Sequence, residues 1–244
     1  MRNVVVTGGS RGLGLAIVRK LAAAGYSAIA IARKTNDQIA AAIKDVEKSK
    51  TGMLHFVPFD LDNVDDISEL VRKLRKQYGP IHGLVNNAAI GTEGLLGIMP
   101  NSQIEQLIRV NTLAPIVLSK YIVRSMMSEG GGRIVNVTSI IGFTGYSGLS
   151  VYGATKASMI GFTRSLAREV GRLNVTVNAV APGFLETDMT QSLVGEQREQ
   201  VARRSALRRL AGVDDVADAV EFLLSDKAKN ITGTVMTVDA GSTA

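Results

Sequence analysis

Val4-Val5-Val6-Thr7-Gly8-Gly9-Ser10-Arg11-Gly12-Leu13-Gly14 joins a β-branched run to glycines spaced Gly-x3-Gly-x-Gly. β-Branched residues favour strands. The residues from about 14 to 24 carry apolar side chains at helical spacing, so the stretch reads strand, tight turn, helix. Glycine lets a backbone turn sharply and approach a pyrophosphate with no Cβ in the way. The helix that follows offers free N–H groups and its positive dipole end to the phosphates. The spacing differs from the Gly-x-Gly-x2-Gly of most dinucleotide folds. What makes it specific is its place between a first strand and a first helix. Gly8, Ser10, Arg11, Gly12, Leu13 and Gly14 are therefore candidate cofactor contacts.

The same alternation continues outward. Strands are expected at Ala28–Ala32, His55–Phe59, Leu84–Val85, Ile134–Val137, Val175–Val180 and Val235–Val238, several of them continuously apolar. That pattern suits parallel strands covered by helices on both faces. Helices are expected at about 37–48, 64–77, 102–127, 151–171 and 214–225. Asn63 with Asp65 and Asp66, and later Asp214 and Asp215, mark helix starts; Gly25, Gly79 and Gly171 mark stops. Repeated βα units predict an α/β fold: a single-domain, Rossmann-type doubly wound parallel sheet of about seven strands spanning residues 1–244. Gly130-Gly131-Gly132 is too short to separate domains.

Composition narrows the function classes. With 45% apolar residues, 5% aromatic and no Trp, the core is built from Val, Ile, Leu and Ala. The absence of cysteine excludes disulfides, thiolate metal sites and a cysteine nucleophile. Two histidines, His55 and His82, read as ordinary residues beside strands, so no metal site is expected. No run approaches the roughly 18 apolar residues of a membrane-spanning helix. The immediate entry into a strand leads us to expect no signal peptide and a cytoplasmic protein. The net charge of +6 raises nucleic acid as a partner. The basic residues are mostly scattered along helices and no nucleic-acid motif appears, so a solvated basic surface is the expectation.

The end of the second strand distinguishes between dinucleotides. A carboxylate there holds a ribose 2′-hydroxyl; an arginine suits a 2′-phosphate. Here the strand exits through Arg33-Lys34, with no carboxylate before Asp37 and with Arg11 in the preceding turn. Converging cations favour a phosphate dianion, so the expected cofactor is NADP(H). Tyr152 and Lys156 lie four apart on one helix face. A tyrosine, ordinarily near pKa 10, becomes a usable acid–base group when a neighbouring ammonium lowers it. Ser139 follows the Ile134–Val137 strand at the carboxyl edge, where open α/β sheets bind ligands. Asn111 sits inside a helix, where asparagine is a weak former. It is either a solvent-facing residue or one with a polar duty.

Taken together, these motifs resemble the short-chain dehydrogenase/reductase family along essentially the whole chain. The glycine-rich turn is similar to the family's Thr-Gly-x3-Gly-x-Gly, and Asp60, with Leu61 beside it, to its adenine-side aspartate. Asn86-Asn87-Ala88-Ala89 resembles its Asn-Asn-Ala-Gly, departing at Ala89. Asn111, Ser139, Tyr152 and Lys156 match its catalytic set, and Pro182-Gly183 with Thr187 its nicotinamide-side segment. The resemblance implies that Tyr152 protonates the substrate oxygen and that Lys156 tunes it and holds the nicotinamide ribose. It further implies that Ser139 orients the carbonyl, that Asn111 holds a relay water, and that Thr187 binds the carboxamide.

Within the family, Ile160–Val170, Ala181–Thr190 and Ile231-Thr232-Gly233 are similar to the bacterial 3-oxoacyl-(acyl-carrier-protein) reductases. The resemblance implies reduction of a 3-oxoacyl thioester, with acyl carrier protein as a partner, and a homotetramer built on the helices at 102–127 and 151–171. Arg172 fits a carrier-protein contact, but Ser128-Glu129-Gly130 and Gly97-Ile98 lack the basic residues of that pattern. The cluster Arg203, Arg204, Arg208 and Arg209 is a substitute contact, a solvated face or an intersubunit patch. The long segment from about 184 to 210 is expected to act as a substrate lid. Phe143, Leu149, Phe184 and Met189 either line an acyl site or serve as packing. Two other readings remain open: an enzyme acting on another ketone or secondary alcohol, and a non-catalytic NADP(H) sensor.

Overall fold

The computed structural model describes residues 1–185 and 202–244. Seven strands form one sheet: β1 (Asn3–Thr7), β2 (Ser27–Ala32), β3 (Met53–Pro58), β4 (Ile81–Asn86), β5 (Gly132–Val137), β6 (Val175–Pro182) and β7 (Val235–Val238). Their spatial order is β3-β2-β1-β4-β5-β6-β7, with every pairing parallel. All seven expected strands are present. The order reverses between β1 and β4, which opens a crevice at the carboxyl edge, the position that binds ligands in such sheets.

Side chains alternate across the sheet, and that alternation builds two cores. Val4 and Val6 join Ile17, Leu21, Val216 and Val220 on one face, against α1 (Gly12–Ala23), α2 (Asp37–Ser49) and α7 (Val213–Leu224). Val5 joins Ile67, Leu70, Leu118, Ile122 and Leu166 on the other. That layer contains α3 (Ile67–Tyr78), α5 (Ala114–Ser128) and α6 (Ser150–Val170). Burying an aliphatic side chain fully is worth about 1.5–3 kcal/mol, which explains strands that are apolar on both sides.

Three expectations need correction in detail. The stretch at 102–127 is helical throughout, as expected, but not uniformly α-helical. It is α4 (Asn101–Ile108), a π-turn over Arg109–Leu113, and then α5. α6 ends just before Gly171, as expected, but Gly171 does not make the reversal: it keeps a helical φ of −57° and starts a short 3-10 turn. The reversal is made by Asn174 at φ 58°, a left-handed position that asparagine tolerates. At the start of α3, the Asn63 side chain accepts no capping bond, and a 3-10 turn over Val64–Asp66 precedes the helix. The late helix start is as expected, with Asp215 accepting the Gly212 N–H at 2.8 Å.

Thr187, Met189 and most of the expected lid lie outside the described residues. The ends of that segment meet, because Leu185 and Ala211 form an isolated parallel bridge.

Candidate active site

The turn after β1 is tied to the end of β2. The N–H groups of Gly8 and Gly9 both donate to Ile31 O, at 2.7 and 3.3 Å. Asn36 Nδ2 donates to Ser10 O at 3.1 Å, while Asn36 Oδ1 caps α2 through Ile39 N–H. Gly8 takes φ 68°, where only glycine is unstrained. A Cβ on Gly14 would overlap Gly8 O. The turn is therefore a closely wound cradle at the amino end of α1, and it fits a pyrophosphate. Because it docks onto β2, Arg11, Arg33 and Lys34 gather at one exposed corner. None of the three forms a salt bridge with a described carboxylate. That corner suits a 2′-phosphate.

On the far side of the crevice, Thr7 performs a task that sequence reasoning missed. Its Oγ accepts the N–H groups of both Asn87 and Ala88 at 3.0 Å, and Asn87 Nδ2 returns a bond to Thr7 O at 2.9 Å. This clamp holds the end of β4 against β1 and fixes Asn87 and Ala88 beside the glycine-rich turn. Its one visible signal is a threonine where the strand becomes the turn. Asp60 forms an Asx turn, accepting Asp62 N–H at 3.1 Å, and Leu61 beside it is buried. At the other end, Pro182 closes β6, and Gly183 N–H donates to Val238 O at 3.0 Å.

The polar set converges beyond β5. Ser139 caps a 3-10 turn over Ile140–Gly142, its Oγ accepting Ile141 N–H at 3.2 Å. That turn packs directly on α6, since a Cβ on Gly142 would stand 3.0 Å from the Lys156 backbone. The close approach brings the Ser139 hydroxyl near enough to Tyr152 to act on its phenol. Lys156 is only 4% exposed and donates through Nζ to Val137 O at 3.0 Å. Asn111 is buried rather than solvent-facing. Its Oδ1 accepts Ile90 N–H and its Nδ2 donates to Ile90 O, both at 2.9 Å, with Thr155 Oγ1 at 3.3 Å. The π-turn explains its position: the extra residue in the turn carries Asn111 inward, a feature common at functional sites.

The electrostatics differ from the sequence reading in one respect. Lys156 was expected to pull the Tyr152 phenol down. Burial instead holds it above its ordinary range, opposed by the nearby Ser139 hydroxyl. The ammonium lies over the Tyr152 ring, 5.6 Å from its centroid, rather than at the hydroxyl. Lys156 is itself lowered to about 8 by burial. Tyr152 is thus a protonated acid at neutral pH beside a buried cation. Among the described residues no cluster of His, Asp or Glu is arranged to hold a metal, and no helix is long and apolar enough to cross a membrane.

The fold and this edge define a dinucleotide-fold protein with a Ser, Tyr and Lys set at the carboxyl ends of its strands. The chain belongs to the short-chain dehydrogenase family, whose model matches residues 2–198. It is 40% identical over 238 residues to the 3-oxoacyl-(acyl-carrier-protein) reductase of Escherichia coli strain K12, covering 97% of this chain and 95% of that one. The enzyme of the same name from Aquifex aeolicus is 39% identical over 238 residues, with 97% and 95% covered. Among solved structures, a metagenomic blue fluorescent protein in complex with NADPH matches at 33% identity and a TM-score of 0.92, covering 100% and 98% of the two chains. A short-chain type dehydrogenase/reductase from Mycobacterium ulcerans matches at 30% and 0.93, covering 99% and 89%.

Proposed function

We propose that this protein uses NADPH to reduce a 3-oxoacyl thioester, carried on acyl carrier protein or coenzyme A, to the 3-hydroxyacyl thioester. The observation that carries this reading is the convergence of Ser139, Tyr152 and buried Lys156 beside the glycine cradle. The full-length likeness to 3-oxoacyl-(acyl-carrier-protein) reductases supports the substrate class. The cradle, the Thr7 clamp, Asp60, Leu61, Asn87, Ala88, Pro182 and Gly183 would hold the dinucleotide; Arg11, Arg33 and Lys34 would hold its 2′-phosphate. When bound, NADPH supplies the hydride.

The chain's own residues do the rest. Ser139 Oγ hydrogen-bonds the ketone oxygen and orients it. Tyr152 Oη delivers a proton to that oxygen as negative charge develops on it. The Lys156 ammonium stabilises the phenolate that Tyr152 leaves behind and would hold the nicotinamide ribose. Asn111, pinned to Ile90, positions a water that returns the proton. Thr187 would meet the carboxamide, and the segment from about 184 to 210 would close over substrate.

The reading includes a cytoplasmic homotetramer. A groove of about 470 Å³ lined by Leu96, Ile104, Ile108, Val151 and Ala154 leaves apolar surface on α4 and α6 for a second copy. Carrier-protein contact falls to Arg172 and the exposed Arg204, Arg208 and Arg209. The test is NADPH absorbance with acetoacetyl-CoA, run beside NADH and a panel of simple ketones. Fast oxidation of NADPH with the thioester and little of NADH is the expected result. Activity on other ketones alone would replace the substrate class and keep the chemistry. NADPH binding with no turnover on any carbonyl would make the protein a sensor.

A further inference from the structure

Large apolar side chains are exposed unevenly. Leu95, Leu96 and Ile98 follow β4, and Phe143 and Tyr146 follow β5, all at the carboxyl edge and all between 48% and 81% exposed. The aromatic members stand out because the chain has only five tyrosines, six phenylalanines and no Trp. Tyr146, 48% exposed, packs against Phe184 with ring centroids 5.6 Å apart and planes tilted by 58°. Phe184 belongs to the segment that follows β6. The pair therefore bridges the two loops that leave neighbouring strands, β5 and β6.

Its position relative to the reacting groups follows from the register. Val137 and Val180 are paired, Ser139 stands two residues past Val137, and Phe184 stands two past Pro182. The Tyr146 loop runs between Ser139 and Tyr152 and is fixed at both sides: Leu149 N–H donates to Tyr146 O at 3.2 Å and Gly94 N–H to Gly148 O at 3.0 Å. A tilted aromatic pair presents one continuous apolar wall, and such pairs are favourable beyond their burial. A 3-oxoacyl thioester has two arms. The thioester arm carries amides that lose hydrogen bonds against an apolar wall, whereas the alkyl tail loses nothing.

We propose that Tyr146 and Phe184 form the wall that receives the alkyl tail of the substrate and sets its chain-length preference toward longer tails. This rests on the 3-oxoacyl thioester reading above. The rings act by contact area, so the tyrosine hydroxyl is dispensable and the ring is not. Each methylene laid on the wall adds binding, which makes the preference grow with tail length.

The experiment measures kcat/KM with acetoacetyl-CoA, 3-oxooctanoyl-CoA and 3-oxododecanoyl-CoA for the wild type, Tyr146→Ser, Tyr146→Phe and Phe184→Ala, with NADPH binding measured on each variant to establish folding. The ratio of 3-oxododecanoyl-CoA to acetoacetyl-CoA is expected to fall about tenfold in Tyr146→Ser and Phe184→Ala. The loss should appear in KM, and Tyr146→Phe should keep the wild-type ratio. An equal loss on every tail length would mean that the pair merely latches two loops, and a ratio unmoved in both variants would equally overturn the proposal. A wild type inert on all three thioesters would overturn the thioester reading and this inference with it; a reactive wild type with unshifted variants overturns the inference alone.

Discussion

The two edges of the sheet handle buried cations in opposite ways. At the amino edge, Arg133 has a side chain only 7% exposed, and it lies beside Arg2 and Asp226. Arg2 pairs with Asp226 at 2.9 Å, and Arg133 donates to Gly132 O at 2.9 Å and stands 3.9 Å from Asp226. The carboxylate-bearing 3-10 turn Asp226–Ala228 follows the carboxyl end of α7, where positive charge is favoured. At the carboxyl edge, the Lys156 ammonium is as deeply buried, yet among the described residues it meets one backbone carbonyl and no carboxylate. A buried charge without a counter-charge costs stability. The amino edge gives its buried arginine a carboxylate neighbour, whereas the carboxyl edge keeps a buried ammonium with none among the described residues, at the group proposed to serve the chemistry.

The largest effect expected from breaking this contrast is at Tyr152. Tyr152→Phe removes the proton donor but not the ring over which Lys156 sits. Turnover of acetoacetyl-CoA should fall by about 10²- to 10⁴-fold, with NADPH affinity retained in a fluorescence titration. Normal turnover would show that another group supplies the proton. Next comes the cationic corner. Arg33→Ala should weaken NADPH by about tenfold or more and leave NADH nearly untouched, as read by the ratio of dissociation constants. Equal weakening of both would remove the 2′-phosphate from the account.

The smallest effect sharpens the amino edge. His82 is lowered to about 4, first by burial and then by repulsion from Arg2 and Arg133, with Asp226 and a bond at Leu224 acting the other way. The unfolded chain takes up this proton near pH 6.5 and the folded chain only near 4. The unfolded state therefore binds more protons between those values, and stability falls as pH drops through that window. After allowance for partial exposure, His82→Asn should remove about 1 kcal/mol of that acid-side loss. Thermal unfolding of both proteins at pH 7 and pH 5 measures it, and parallel shifts in the two would contradict it.

The strands were legible because short β-branched runs such as Val4–Val6 recur between longer stretches with helical spacing, the pattern of parallel strands covered on both faces. The glycine turn was legible because Gly14 has no room for a Cβ. Helix ends were less so. Gly171 and Asn174 compete for the same role, and which residue takes the left-handed turn depends on the 3-10 winding between them. The π-turn at Asn111 is not legible in the sequence, where the stretch reads as one regular helical pattern. Thr7 escaped notice because its partners, Asn87 and Ala88, follow β4, which is distant in the chain and adjacent only after folding. The four residues proposed for catalysis were picked out by type, spacing and family resemblance; their burial and the order of effects on Tyr152 required the packing.

The contrast between the edges is tested most directly at Lys156. Below about pH 8 the buried ammonium carries its full cost; as pH rises from about 8 toward 10.5 the folded chain sheds the proton first, and that cost is relieved. We would measure chemical denaturation of the wild type and Lys156→Met without nucleotide at pH 7, together with turnover. The account predicts a variant more stable by about 2–3 kcal/mol and devoid of NADPH-dependent reduction. A variant that is less stable than the wild type, with Val137 O left unsatisfied as the dominant loss, would contradict the claim that this edge gives up stability for chemistry.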